Sequence, residues 1–474
     1  MQKNTRLLTT LMMFLLTAGL VHFAAAQDTE KRPKLNSESK QARFYALGML
    51  DEIKKNLKEH YYDQKFGGMD LEKRIEEAKA RVKTLEYNWQ MYRVLAQLLV
   101  DLDDSHTYMI LPSRRDHFRY GINWQMFGES CLVTQVRKDS DAFVKGLEVG
   151  DQVLAIRNFP PTRADLWKME YVIYKLDPDQ QMELKIRKPD QTEKTIVIKA
   201  KTLTDKELRA EIKARKERRK ARKEKNEYQP FKCREVDSSL IGCRLSTFEV
   251  EKGDIDKMMK QVAKYPKFIL DLRQNSGGYV HIEEYLLSHF FDKKVKIADM
   301  ITKTKKLERN TDVLSESKRY KGEMAVLVDS ESASAAEMTA RVLQIEKRAQ
   351  VFGDYSSGAV MTSITIPFVS MLGMNTSYAW NLFWMSVTIG DVVMSDGSRL
   401  EKTGVAPDYP LLPTPMALKQ KMDPVFSIAA AKMGSTISPD VAGKFHFITS
   451  DSEDDEDVEE QGEDDNSNLG ARSS

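Results

Sequence analysis

A multidomain α/β protein is what this chain predicts, and three stretches carry the prediction. Beyond residue 229, short apolar runs alternate with segments of helical periodicity, the pattern of strands and helices layered on one sheet. Residues 120–203 read instead as short strands between turn residues, and residues 40–100 as amphipathic helices. At 474 residues the chain exceeds what one hydrophobic core organises, so two or three domains are expected. With 41% hydrophobic and 30% charged residues, material for real cores is present. A formal net charge of +2 gives no support for nucleic-acid binding by the chain as a whole.

In chain order, residues 1–26 have the make-up of a secretory signal peptide. Lys3 and Arg6 give a basic start, residues 7–23 are mostly apolar, and Ala24-Ala25-Ala26 offers a small-residue cleavage site before Gln27. Cleavage after Ala26 leaves a formally neutral chain bound for the periplasm or the exterior, with no stable membrane span. The competing reading is an uncleaved anchor, since the run approaches the ~20 apolar residues needed to cross a bilayer. No other stretch is long or apolar enough.

Residues 27–112 form the next unit. Apolar residues at helical spacing (Phe44, Leu47, Met49, Leu50, Ile53) predict a helix over 42–57, and 71–82 and 88–100 follow suit. The unit ends in Asp103-Asp104-Ser105-His106-Thr107. Imidazole is the side chain best suited to general-base work near neutral pH. A His beside Asp and Ser is also a common surface or capping residue, and Asp101, Asp103 and His106 could be weighed as a metal set, without support elsewhere in the chain.

Residues 113–203 are β-rich, with strands expected at 122–127, 131–136, 152–156, 181–186 and 193–200. Residues 204–228 are a charged helix or linker holding eleven Lys/Arg between Lys206 and Lys225. A hairpin is expected from 231–236 and 240–245, a helix at 254–264 and a buried strand at 268–272. That strand runs into Arg273-Gln274-Asn275-Ser276-Gly277-Gly278, where paired glycines permit positive φ and close backbone approach. The pair lacks the three-glycine spacing of a dinucleotide site, and reads either as a tight turn or as a backbone donor to an oxyanion.

The apolar run Ala325-Val326-Leu327-Val328 is a second buried strand, broken at Asp329-Ser330-Glu331. Ser334-Ala335-Ala336-Glu337 then has capping-box spacing and opens a helix to about residue 345. A serine on such a turn can be a plain N-cap. It can also expose a nucleophilic hydroxyl while the next N–H groups face a forming oxyanion. Ala333, Ala335 and Ala336 leave room for a substrate backbone. Strands at 350–352, 364–374 and 386–394 complete a core assigned to 229–415, which Gly404-Val405-Ala406-Pro407-Asp408 closes. Residues 416–474 are an extension whose positions 451–465 hold eleven acidic residues, a disordered tail by composition that could fold back on the basic stretch. Cys233 and Cys243 could face each other across the hairpin as a disulfide or as two free thiols, and no metal-ligand spacing of Cys and His occurs.

These pieces, in this order, resemble the tail-specific or C-terminal processing serine peptidases, a family that includes the tricorn core. The resemblance covers about residues 42–412. It rests on Asp104-Ser105-His106-Thr107, on an A-x-x-x-G-L-x-x-G-D stretch (Ala142–Asp151) like that of PDZ domains, and on Asp271–Gly278, Ser332–Glu337 and Gly404–Asp408. It implies a peptidase core of the ClpP/crotonase-like type with an inserted PDZ-like domain, and polypeptide substrates whose C-termini the PDZ-like domain takes up by strand addition. It implies no cofactor and no metal. It makes Ser334 the nucleophile. The processing branch pairs that serine with a lysine in Gly-Lys-Gly, but here Ser357-Gly358-Ala359-Val360 puts Ala359 in its place. The tricorn-like branch supplies the base differently, implying His106 as general base and acid, Ser105 and Glu401 as orienters of its ring, and the N–H groups of Gly277 and Ala335 as the oxyanion hole. The alternative is a silent peptide-binding protein of the same fold.

Overall fold

The computed structural model describes residues 38–112, 116–224, 230–368 and 383–445. The leader and the acidic stretch at 451–465 lie outside them.

Three helices open the chain: α1 (Glu38–His60), α2 (Leu71–Thr84) and α3 (Asn88–Val100). Asp70 starts α2 by accepting the Lys73 N–H at 3.1 Å. Met49, Leu50, Ile53, Ile75, Val82, Leu95 and Leu99 pack into one core, whereas Phe44, expected on the apolar stripe, is 73% exposed. The buried stripe runs through Ala46, Met49, Leu50, Ile53 and Leu57, and Phe44 falls on the outer face.

Strands β1 (Tyr108–Ile110) and β2 (Asp116–Arg119) lead to β3 (Ile122–Phe127), β4 (Ser130–Val136), the short helix α4 (Asp141–Val144) and β5 (Gln152–Ile156). Helix α5 (Leu166–Glu170) continues as a π-turn (Tyr171–Leu176) before β6 (Gln181–Arg187), β7 (Glu193–Lys199) and β8 (Lys201–Thr204). Strands β3-β4-β5-β6-β7 make an antiparallel sheet in that order over a core of Trp124, Val133, Leu184 and Ile198. β8 pairs with β2, and the charged segment after it is a helix, α6 (Asp205–Glu224), held at its start by buried Leu208.

The second half begins with the hairpin β9 (Phe231–Asp237) and β10 (Leu240–Leu245), across which a disulfide joins Cys233 to Cys243. It proceeds through α7 (Lys252–Val262), β11 (Lys267–Asp271), α8 (Val280–Ser288), the hairpin β12 (Lys296–Thr302) and β13 (Lys306–Asn310), β14 (Glu323–Val328), α9 (Ala335–Ile345) and β15 (Gln350–Gly353). Strands β16 (Met361–Pro367) and β17 (Trp384–Met394) follow, then β18 (Tyr409–Pro410). Residues 369–374 of the strand expected at 364–374 lie outside the described residues.

β18-β15-β14-β11-β10-β9 form one sheet, parallel except for the β9–β10 edge. Successive residues of β14 point to opposite faces: Val326 and Val328 meet the core under α7, α8 and α9, while Ala325 and Leu327 meet a second core. Burial on both faces is why this strand reads as an unbroken apolar run. The second core is covered by α11 (Pro424–Lys432), which with α10 (Pro415–Lys419) and α12 (Pro439–Gly443) carries the fold to Phe445, well past the Gly404–Asp408 motif expected to close it. An antiparallel sheet, β1-β17-β12-β13 with β16 also on β17, ties the two halves together. β17 is long enough to serve both, with Met385 and Val387 in the helical core and Val392 and Met394 in the later one.

Candidate active site

The parallel strands β11, β14 and β15 end side by side, and an open sheet leaves its crevice beyond such carboxyl ends. Asp329, just past β14, builds the first part of the site. Its Oδ1 accepts the N–H groups of Gln274 (2.9 Å), Glu331 (3.1 Å) and Ser332 (3.1 Å), so the turns after β11 and β14 are stitched together. Ser332, fully buried, donates its hydroxyl to the Leu272 carbonyl at 2.8 Å, and the Ala333 N–H reaches the Asn275 carbonyl at 2.9 Å.

Ser334 follows with φ 54° and ψ −118°, immediately before α9. A non-glycine residue held there costs on the order of 1–3 kcal/mol and persists only where surrounding contacts dictate it. Those contacts converge on its N–H, which donates to the Ala359 carbonyl at 3.1 Å and to Glu337 Oε2 at 3.0 Å. Burial pushes the Glu337 carboxyl up to about 7, against the opposing pull of the donors around it.

Gly277 sits against this turn. A Cβ there would stand 2.8 Å from Ser334 Cβ and 3.0 Å from the Ala333 carbonyl oxygen, at a φ of +97°. Gly277→Ala is therefore expected to destabilise the fold by roughly 1–3 kcal/mol and displace the Ser334 turn, checked by urea unfolding beside a rate measurement. The Gly277 N–H, expected to serve an oxyanion, donates to Asn275 Oδ1 at 2.8 Å, so that role requires the amide to leave its own turn. Ala335 is the first residue of α9, and its N–H has no acceptor within the helix.

The imidazole arrives from the other half. Asp104, buried after α3, accepts the His106 N–H at 2.9 Å and the Thr388 hydroxyl of β17 at 2.8 Å, which seats the early loop on the later sheet. Ser105 Oγ lies 2.7 Å from His106 Nδ1. Burial holds the imidazole below the ordinary histidine value, with Asp104 pulling weakly the other way. Glu401 accepts the Val360 N–H at 2.9 Å and the Ser105 N–H at 3.4 Å, and burial raises its carboxyl. One path of contacts thus runs from Ser334 through Ala359 and its neighbour Val360 to Glu401, Ser105 and His106. Ser334 Oγ and His106 Nε2 share no hydrogen bond among the described residues, and such contacts are often long before substrate binds.

The alternatives for a base are engaged elsewhere. Lys402 Nζ pairs with Asp103 at 2.6 Å, and Ala359 contributes only its backbone. Among the described residues no group of three His, Cys, Asp or Glu is placed to hold a metal ion.

Residues 242–411 match the family model described as peptidase family S41. They form a peptidase family S41 domain. This S41 domain contains Gly277, Ser334 and Glu401, while Ser105 and His106 reach it from outside. The carboxy-terminal processing protease CtpB of Bacillus subtilis (strain 168) is 26% identical over 167 residues, which are 34% of this chain and 32% of CtpB. The chain therefore aligns with about a third of that relative's length. Mature CPAF, solved in complex with lactacystin, is similar in fold at 14% identity and TM-score 0.61, over 85% of this chain and 99% of CPAF. The photosystem II D1 C-terminal processing protease is similar at 17% identity and TM-score 0.50, over 86% of this chain and all of its own. The likeness of fold thus extends beyond the S41 domain into the units before it.

Sequence reasoning missed the residues that fix the site without touching its chemistry. Asn275 stood in view inside the glycine motif, but nothing marked its side chain as the acceptor for Gly277. Gln125 of β3 gave no signal. Its Nε2 donates to Asp329 Oδ2 at 2.8 Å, pinning the β-rich unit to the S41 domain.

Proposed function

We propose that the chain is a serine endopeptidase that cleaves polypeptides, near their C-terminal tails, through an acyl-enzyme. The observation that carries the reading is Ser334 in its strained pre-helical turn, linked by contacts to the Ser105–His106 pair. Ser334 Oγ attacks the scissile carbonyl as His106 Nε2 takes its proton, and the Ala335 N–H donates to the oxygen that gains charge. His106 then hands the proton to the leaving amine, and water repeats the sequence to release the acid. This direction of transfer requires Nδ1–H to donate to Ser105 Oγ, leaving Nε2 with its lone pair. The β-rich unit is the PDZ-like partner of this chemistry, presenting substrate C-termini.

A periplasmic or extracellular site of action is part of the proposal. The composition of residues 1–26 and the Cys233–Cys243 bond both favour an oxidising compartment, and among the described residues no helix is long and apolar enough to cross a membrane. A mature protein starting at Gln27 by mass spectrometry is expected. An intact Met1 would argue for the anchored form.

The occupied Gly277 N–H and the alanine at position 359 favour the competing reading, a silent peptide binder. A fluorophosphonate probe separates the two. The proposal expects covalent labelling at Ser334, absent in Ser334→Ala, whereas an unreactive Ser334 in the folded wild-type protein would leave the binder.

A further inference from the structure

We infer that Glu337 is a positioning residue for Ser334, holding with one buried carboxylate both the Ser334 turn and the 356–359 loop on which the nucleophile depends; this rests on the peptidase reading above. Its side chain is fully buried in the first turn of α9. Oε1 accepts the Ser356 hydroxyl at 2.6 Å and the Gly358 N–H at 2.7 Å. Oε2 accepts the N–H groups of Ser334 and Ala359, each at 3.0 Å. An ionised carboxylate offers about four acceptor directions, and here all four meet donors.

The donors are not scattered. Ser334 is the nucleophile itself. Gly358 and Ala359 belong to the loop whose Ala359 carbonyl takes the Ser334 N–H and whose next residue, Val360, donates to Glu401. Ser356 passes the link on, since its Oγ accepts the Val405 N–H at 2.5 Å from the segment that follows Glu401. Moving the Glu337 carboxylate would therefore shift Ser334 and the residues that seat the orienting Glu401 together.

A cap alone does not account for this residue. Serine, threonine or asparagine at the helix start would satisfy the orphan amides of α9 without placing a charge in the interior. What a carboxylate adds is the ability to accept from both flanks at once. Glutamine cannot reproduce it, because in either orientation its NH2 group would face at least one backbone N–H donor.

The test compares wild type, Glu337→Gln and Ser356→Ala in peptide hydrolysis and in the rate of fluorophosphonate labelling at Ser334, with circular dichroism to confirm folding. Glu337→Gln is expected to lower kcat and the labelling rate in step by about 10²-fold while KM stays within about threefold, because the loss falls on the reacting geometry and not on substrate contacts. Ser356→Ala removes one donor of four and is expected to lower kcat by about tenfold. A Glu337→Gln enzyme with wild-type kcat overturns the inference while the labelled wild type keeps the peptidase reading. Should Glu337→Gln fail to fold, Ser356→Ala decides, and wild-type kcat in it overturns the inference. A wild-type protein that neither hydrolyses nor labels sinks the peptidase reading and the positioning role together.

Discussion

Ser334→Ala is expected to lower kcat for peptide hydrolysis by about 10⁴- to 10⁶-fold, and His106→Ala by a similar factor, because nucleophile and base act as one unit. The double variant should then be scarcely worse than either single one. Retained melting temperatures would show that the loss is chemical. A pH profile gives the sharper signature. His106 must be neutral to accept the Ser334 proton, and burial holds its imidazole below the ordinary 6.5. Activity should accordingly rise through a midpoint below 6.5, and a midpoint above it would exclude a buried His106 as the base. The same lowering has a stability counterpart. Below 6.5 the unfolded chain takes up the proton more readily than the folded one, so this group's contribution to stability falls as pH drops through that value.

The second large effect concerns stability. Arg273 leaves β11 fully enclosed, with its guanidinium forked onto Asp271 (Nε–Oδ1 2.9 Å, Nη2–Oδ2 2.6 Å) and onto Asp423 (Nη1–Oδ1 2.9 Å, Nη2–Oδ2 2.7 Å). Asp423 also caps α11 by accepting the Phe426 N–H at 3.0 Å. One cation thus joins the strand that leads to Gly277 to the helix covering the opposite face of the sheet. Arg273→Ala would leave two buried carboxylates facing each other, and a loss of about 3–5 kcal/mol in urea unfolding is expected. Asp423→Asn keeps a capping oxygen and should lose less. If Arg273→Ala unfolds at the wild-type urea concentration, the triad contributes nothing.

Much of this architecture could be read from the chain because local chemistry and tertiary burial agreed. Val326 and Val328 alternate with Ala325 and Leu327 on a strand covered on both faces, so a plain apolar run sufficed. Ser334 was legible because the helix-start signal and the small residues around it point the same way. Phe44 was misjudged because helical spacing defines a stripe without saying which edge of it the neighbours reach. The helices after Pro415 were passed over because α11, rich in alanine, shows no polar face to set a period. Glu337 was recognised as a capping partner only. Its other donors come from about twenty residues downstream, and no local pattern announces a contact made by a distant loop.

β17 has a consequence for how the molecule comes into being. It is the strand on which β1 is paired and to which Asp104 is fastened through Thr388, so the imidazole has no seat until residues 384–394 exist. During synthesis the His106 imidazole emerges first and the Ser334 hydroxyl more than two hundred residues later, yet neither is registered against the other until this still later strand slots in. The nascent chain is thereby kept from bringing these two groups together before residue 394 has been made.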